Sequence, residues 1–198
     1  MTGTVRGADG IERCPWGDAP DDLRRYHDEE WGRPLRGDTA VFERLSLEGF
    51  QSGLSWLTIL RKREAFRAAF DGFDIEAIAA YDESDVDRLL RDEGIVRHRG
   101  KIEAVIANAR VLRDWQHAEG EGVLDARVRA CALRGRARPA TLADVPTTSL
   151  EATTLSRDLK RRGWRFLGPT TAYAALQAIG VVDDHVVGCH VAEHPALG

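Results

Sequence analysis

An all-α fold is what this sequence predicts. Apolar residues recur every three or four positions over much of the chain, the spacing of helix faces. Acidic or hydroxyl residues such as Asp38 and Ser84 precede these stretches, as helix starts require. No run alternates with a period of two. The pairs Val181–Val182 and Val186–Val187 are too short to make a sheet. A helical globule follows.

Taken in order, residues 1–10 are polar and glycine-bearing and read as a disordered leader. They lack the apolar stretch of a secretory signal, so a cytoplasmic protein is expected. A helix over 39–50 sets Val41, Phe42 and Leu45 on one face, with Asp38 as its N-cap. A second, over 57–70, carries Leu57, Leu60, Phe66 and Phe70. Short helices are predicted over 74–81 and 84–91, with Ser84 and Asp87 spaced as a capping box. The clearest amphipathic stretch is 101–116, with Ile102, Val105, Ile106, Ala109, Leu112 and Trp115 on one side. Residues 119–146 are rich in Gly, Arg and Pro and read as a variable crossing between lobes. Helices over 155–162 and 170–179 complete the set. The folded part spans 11–190, as one domain or two small lobes on a shared core, with 191–198 as a tail.

Net charge is −4, which by itself counts against a nucleic-acid partner. Its distribution points the other way. Residues 71–93 hold 9 acids and 2 bases, whereas 127–165 hold 10 bases and 3 acids. A basic face can therefore exist on an acidic protein, although solvated helix faces would look the same. The three cysteines, Cys14, Cys131 and Cys189, are an odd count in a chain with no secretory signal, which argues against a disulfide framework. No apolar run approaches the ~20 residues of a membrane span, so no membrane partner is expected.

Between the last two helices lies Gly-Trp-Arg-Phe-Leu-Gly-Pro, residues 163–169. Gly163 suits the left-handed position that ends a helix, and Pro169 the first turn of the next. Gly168 leaves the backbone N–H groups at that helix start uncovered, a geometry that can hold a phosphate. An ordinary helix-to-helix turn has the same sequence; the upstream run Lys160, Arg161 and Arg162 favours DNA contact.

His185 and Cys189 are four residues apart and can face one ion. With Cys14 and His27 they make a Cys2His2 set suited to tetrahedral zinc. Four side-chain ligands close the shell, so the ion would be structural, joining the two ends of the chain. His190 and His194 are alternative donors.

Residues 47–56, LEGFQSGLSW, set Glu48 within an apolar helix end beside Gly49 and Gly53. Each glycine costs a helix about 1 kcal/mol relative to Ala, which suggests close approach of another group. Trp16, Tyr26, Trp31 and Trp56 supply aromatic faces. An alkylated purine is cationic and electron-poor. It stacks well between such rings, and a buried carboxylate complements its charge and accepts from its exocyclic amine. Such a base must first leave the duplex. A tryptophan-rich core with a salt-bridged Glu48 would use the same residue types, so composition leaves both readings open.

Five separated motifs decide further: 12–16 (ERCPW), 26–32 (YHDEEWG), 47–56, 94–97 (GIVR) with Lys101-Ile102, and 166–173 (FLGPTTAY) through 184–189 (DHVVGC). In that order, from about residue 11 to 190, they resemble the 3-methyladenine DNA glycosylase I family. The resemblance implies a helix-hairpin-helix glycosylase fold and hydrolysis of the N-glycosidic bond of an alkylated purine, releasing 3-methyladenine and leaving an abasic site. It implies one structural zinc on Cys14, His27, His185 and Cys189. It assigns base recognition to Glu48, the carboxylate at the reaction centre, with Tyr26, Trp16 and Trp56 lining the pocket. Gly53 and Leu54 would enter the gap in the duplex. The hairpin, with Gly163, Gly168 and Pro169 and the bases Lys160 and Arg162, would hold the DNA backbone. The implied partner is double-stranded DNA with an alkylated base, bound by a monomer without a nucleotide cofactor. Two departures stand out. An arginine-rich tract fills 120–138 where relatives often carry aromatic residues, which could change DNA affinity. Asp183 stands where relatives often have Asn. It could act on the sugar cation or pair near the metal site, and the second role is favoured.

Overall fold

The computed structural model describes residues 3–133 and 135–191. Among the described residues, nine α-helices form its body: α1 (Asp21–Glu29), α2 (Asp38–Gln51), α3 (Trp56–Ala69), α4 (Ile75–Ala80), α5 (Glu83–Arg91), α6 (Arg99–Glu119), α7 (Val123–Arg129), α8 (Leu150–Arg161) and α9 (Pro169–Ala178). The extended residues are two short strands, β1 (Val5–Arg6) and β2 (Glu12–Arg13), paired antiparallel. Among the described residues, no helix is long and apolar enough to cross a membrane.

The predicted helices are present, with ends shifted by at most five residues. Apolar stripes locate the buried face of a helix, whereas capping chemistry decides where it starts. Two capping expectations are corrected. The capping box of α5 is built by Asp82 and Asp85, not by Ser84 and Asp87. Asp38 does not cap α2. Its carboxylate accepts from the backbone N–H groups of Gly122 and Asp125, both at 2.9 Å, and so caps α7. Asp125 returns a bond, accepting from the Gly37 N–H at the head of α2 at 3.1 Å. Each helix start is thus satisfied by a carboxylate from the other, which a local reading of caps misses.

This exchange also orders part of the stretch 119–146, where α7 replaces the expected irregular crossing. Its carboxyl-terminal part carries one 3-10 turn, Leu142–Asp144, boxed by Thr141 and Asp144. The second unpredicted helix, α1, is mostly polar and buries only Tyr26 and His27. Its start was marked by Pro20 and by Asp21 and Asp22 in the first turn.

The leader also differs from expectation over residues 3–10. β1 pairs with β2, and the Arg13 guanidinium, 2% exposed, is clamped between Asp9 and Asp28 at 2.8 Å each. A buried guanidinium is stable only when so paired, and that pairing ties the leader to α1. The expected tail lies outside the described residues except for Val191.

One core runs through the molecule. Phe42, Phe50, Phe66, Phe70 and Phe73 pack with Ile102, Leu112 and Leu176. A smaller cluster of Cys14, Val186, Cys189 and Val191, with Trp16 against it, joins the two ends of the chain.

Candidate active site

The amino-terminal third and α9 face each other across a cavity of about 470 Å³. Trp16, Tyr26, Trp31 and Trp56 line one side; Thr170, Tyr173 and Gln177 line the other. Trp16 stands on a 3-10 turn, Pro15–Gly17, and meets Trp31 edge-on at 5.0 Å. The Tyr26 ring lies 5.3 Å from that of Trp56. The three aromatic residues assigned to the base thus share one wall, although they come from three separate elements.

Glu48 lies on α2 one turn before Gln51, which is itself at the wall. Glu48 itself is not among the residues that line the cavity; its side chain is buried to 5% exposure. Burial pushes its pKa up to about 7, and only the charge of Arg44 opposes this; no hydrogen bond contributes. It is no salt-bridged core residue, since no ion pair within 4 Å involves it among the described residues. Tyr26, close enough to feel the Glu48 charge, has its own hydroxyl pushed well above the usual phenol range, first by burial.

Beyond Gln51, Gly53 takes φ +80°, which a side chain rarely tolerates. The turn it makes leaves Leu54 43% exposed. Gly49 has a different reason: a Cβ there would come within 3.3 Å of the Phe166 carbonyl oxygen. That carbonyl belongs to the α8–α9 hairpin, which packs directly on α2. The hairpin begins as expected. Gly163 adopts φ +105°, and the Trp164 N–H returns to the Leu159 carbonyl at 2.9 Å. Gly168 precedes α9 with no side-chain cap, and Pro169 opens the helix. Lys160 is exposed. Arg162 instead lies over the Trp115 ring, 3.9 Å from its centroid.

The four metal-ligand candidates converge. Cys14, His27, His185 and Cys189 are buried, and their donor atoms all lie within 4.8 Å of one another. His185 Nδ1 is 3.6 Å from Cys14 Sγ and 3.5 Å from Cys189 Sγ; His27 Nε2 is 3.5 Å from Cys189 Sγ. Metal–sulfur and metal–nitrogen bonds of ~2.3 and ~2.0 Å give tetrahedral edges of about 3.5 Å, so the set can hold a structural metal ion. The remaining imidazole nitrogens are held from outside, His27 Nδ1 by Asp28 at 2.8 Å and His185 Nε2 by the Trp31 carbonyl at 3.2 Å. Cys189 is held well below the usual thiol range, first by its hydrogen bond with Cys14 and then by the two imidazoles. Of the alternative donors, His190 lies against Asp28, at 3.5 Å, rather than in the cluster. His194 lies outside the described residues.

Comparison with known proteins gives the same picture. The family model for methyladenine glycosylase matches residues 16–193. The chain is 44% identical over 180 residues to DNA-3-methyladenine glycosylase 1 of Escherichia coli, covering 90% of this chain and 96% of that protein. This chain belongs to the methyladenine glycosylase family. The solved 3-methyladenine DNA glycosylase I of Staphylococcus aureus, 36% identical, superimposes with a TM-score of 0.85 over 92% of this chain and 97% of that one. The Haemophilus influenzae DNA-3-methyladenine glycosylase is 39% identical over 178 residues, 89% of this chain and 96% of that protein.

Within this methyladenine glycosylase, the carboxylate near the metal site that reaches the cavity is Asp184, not Asp183. Asp183 accepts from Arg138 Nε at 2.8 Å and from the His185 N–H at 3.1 Å, the pairing role favoured above. Asp184 is buried at the cavity edge. It accepts from Tyr173 Oη at 2.6 Å and Gln177 Nε2 at 2.7 Å, and Arg136 reaches it at 2.8 Å. Burial and this bond push the Tyr173 hydroxyl up to about 12.

The arginine-rich tract of the glycosylase is mostly turned inward. Arg127 pairs with Asp158, Arg129 with Asp125, Arg136 with Asp184 and Arg138 with Asp183. These four are engaged by acids of the same chain. Arg134 lies outside the described residues.

Sequence reasoning also missed Asn108, which brackets the hairpin. Its Nδ2 donates to the Arg165 carbonyl at 3.2 Å and its Oδ1 accepts from the Arg165 N–H at 2.8 Å. A polar residue on the apolar side of the 101–116 stripe was the available signal. Arg44 lay likewise within the apolar 39–50 helix.

Proposed function

We propose that this chain is a DNA repair glycosylase that hydrolyses the N-glycosidic bond of 3-methyladenine in DNA, releasing the base and leaving an abasic site. The observation that carries the reading is the buried Glu48 carboxylate, which makes no hydrogen bond among the described residues and whose charge acts on Tyr26 in the aromatic wall of Trp16, Tyr26 and Trp56. A cavity of about 470 Å³ is of small-ligand size. Electron-rich rings stack a cationic purine, and the carboxylate complements its charge. Normal adenine, being neutral, gains less. Because the alkylated base is already a good leaving group, selection and orientation are the main tasks of the protein.

The nucleotide reaches the cavity by leaving the duplex. In this reading Leu54, on its glycine turn, fills the gap, while the hairpin at Gly163, Gly168 and Pro169 and the exposed Lys160 hold phosphates. Arg162, stacked on Trp115, is a weaker candidate for that work. The ion suited to the Cys2His2 cluster is zinc. With four side-chain ligands it would brace the two ends of the chain and offer no open position to water.

Incubation with methylated duplex DNA and chromatography of the released bases tests the activity. Free 3-methyladenine is expected from the native chain, and at least about a hundredfold less from Glu48→Gln. A folded Glu48→Gln protein that works at the native rate would remove Glu48 from the mechanism.

A further inference from the structure

Arg44 lies on α2 one turn before Glu48. It is buried, at 8% exposure. Its Nη1 donates to Tyr26 Oη at 2.7 Å. Its guanidinium carbon stands 5.1 Å from the Trp56 ring centroid and 5.4 Å from that of Tyr26. A resident cation therefore packs against two of the rings assigned to the base, one helical turn from the carboxylate assigned to it.

Two consequences follow from the chemistry of arginine. A guanidinium has donors only, so Tyr26 Oη accepts and its own proton turns away from Arg44. Among the described residues no acceptor takes that proton, and Tyr26 lines the cavity. The second consequence concerns charge. An ionised carboxylate without hydrogen bonds is costly to bury, and a cation one turn away offsets part of that cost. Burial drives Glu48 up and Arg44 pulls it back. Tyr26 on α1 also faces Glu48, and Glu30 just beyond α1 faces Arg44. Among the described residues, Arg44 is the one charged group that shifts Glu48.

We propose that Arg44 is a positioning residue for base recognition, holding the Tyr26 hydroxyl as a hydrogen-bond donor toward the flipped base and supplying a countercharge that favours the ionised form of Glu48. The inference rests on the excision reading above. It adds to that reading a residue that touches neither the base nor the sugar.

The test compares the native chain with Arg44→Met and Arg44→Lys. One measurement is single-turnover release of 3-methyladenine from methylated duplex DNA as a function of pH. The other is binding of free 3-methyladenine, followed by tryptophan quenching over the same range, which needs no turnover. Titration of the ligand itself is common to all three proteins. In Arg44→Met the acidic limb of both profiles is expected to move to higher pH by about one unit, an approximately tenfold loss at the foot of the limb. Arg44→Lys keeps the charge and is expected to return the limb to within about a third of a unit of the native one. A purely structural role would lower both profiles without moving their limbs. Limbs that coincide in the native, Met and Lys proteins overturn the proposal and leave the excision reading intact. A native chain that binds the free base with a limb that Arg44→Met shifts, yet releases none from DNA, would instead overturn the excision reading alone. If Arg44→Met does not fold, Arg44→Gln takes its place, with the same shift expected and the same coincidence overturning.

Discussion

The Lys101 ammonium closes on the Ser52 carbonyl at 2.6 Å and on the Phe50 carbonyl at 2.9 Å. It thereby caps the carboxyl end of α2, just before the turn that exposes Leu54. Carbonyls at a helix end need such partners, and a cation there also complements the helix dipole. Lys101→Met removes both bonds and is expected to cost roughly 2–3 kcal/mol in urea unfolding. It should also slow excision from duplex DNA while free 3-methyladenine still binds within about twofold, because the loop acts on the strand and not on the pocket. Equal losses in both measurements would show that Lys101 supports the pocket itself.

Glu48 should make the protein less stable as pH rises. Its folded pKa is about 7 against an ordinary value of 4.5, so the folded state holds the proton more tightly. The stability gained from that proton is complete below about pH 4.5 and is lost as pH climbs through 7. Glu48→Gln is therefore expected to be more stable than the native chain at about pH 8, by up to roughly 3 kcal/mol, and to differ by less than about 1 kcal/mol at about pH 5. Chemical denaturation at the two pH values checks it. A Gln variant weaker than native at the higher pH would mean that Glu48 has a stabilising partner.

Asp183 and Asp184 should separate cleanly. Asp183→Asn keeps an acceptor for the His185 N–H, and excision is expected to stay within a few-fold, since mutations off the reacting centre act mainly on stability. A loss of ~10²–10⁴, the size of an acid–base contribution, would return Asp183 to the reaction. Asp184→Ala strips the acceptor from Tyr173 and Gln177 and the countercharge from Arg136. A cost of about 3–5 kcal/mol is expected in unfolding.

Metal content is expected at one zinc per chain by elemental analysis. Cys189→Ser should lose that zinc and several kcal/mol of stability, about the scale on which structural metal sites contribute to folding. A chelator should lower the melting temperature of the native chain but not that of the variant. A native chain that is free of metal and insensitive to chelator would count against a metal brace.

Apolar periodicity determined the helical class and located seven of the helices, because burial of a helix face is written into neighbouring residues three and four apart. Residue types and order likewise marked Cys14, His27, His185 and Cys189, and the Glu48 segment. Tertiary structure alone decided which groups are partners. The capping exchange of Asp38 and Asp125 spans 87 positions, and the choice of Asp184 over Asp183 at the cavity follows from which way each side chain points out of a loop. Arg44 and Asn108 gained their roles the same way, through Tyr26 and the Arg165 backbone. A buried polar side chain is defined by the partner that satisfies it, and that partner is brought near only when the chain is folded.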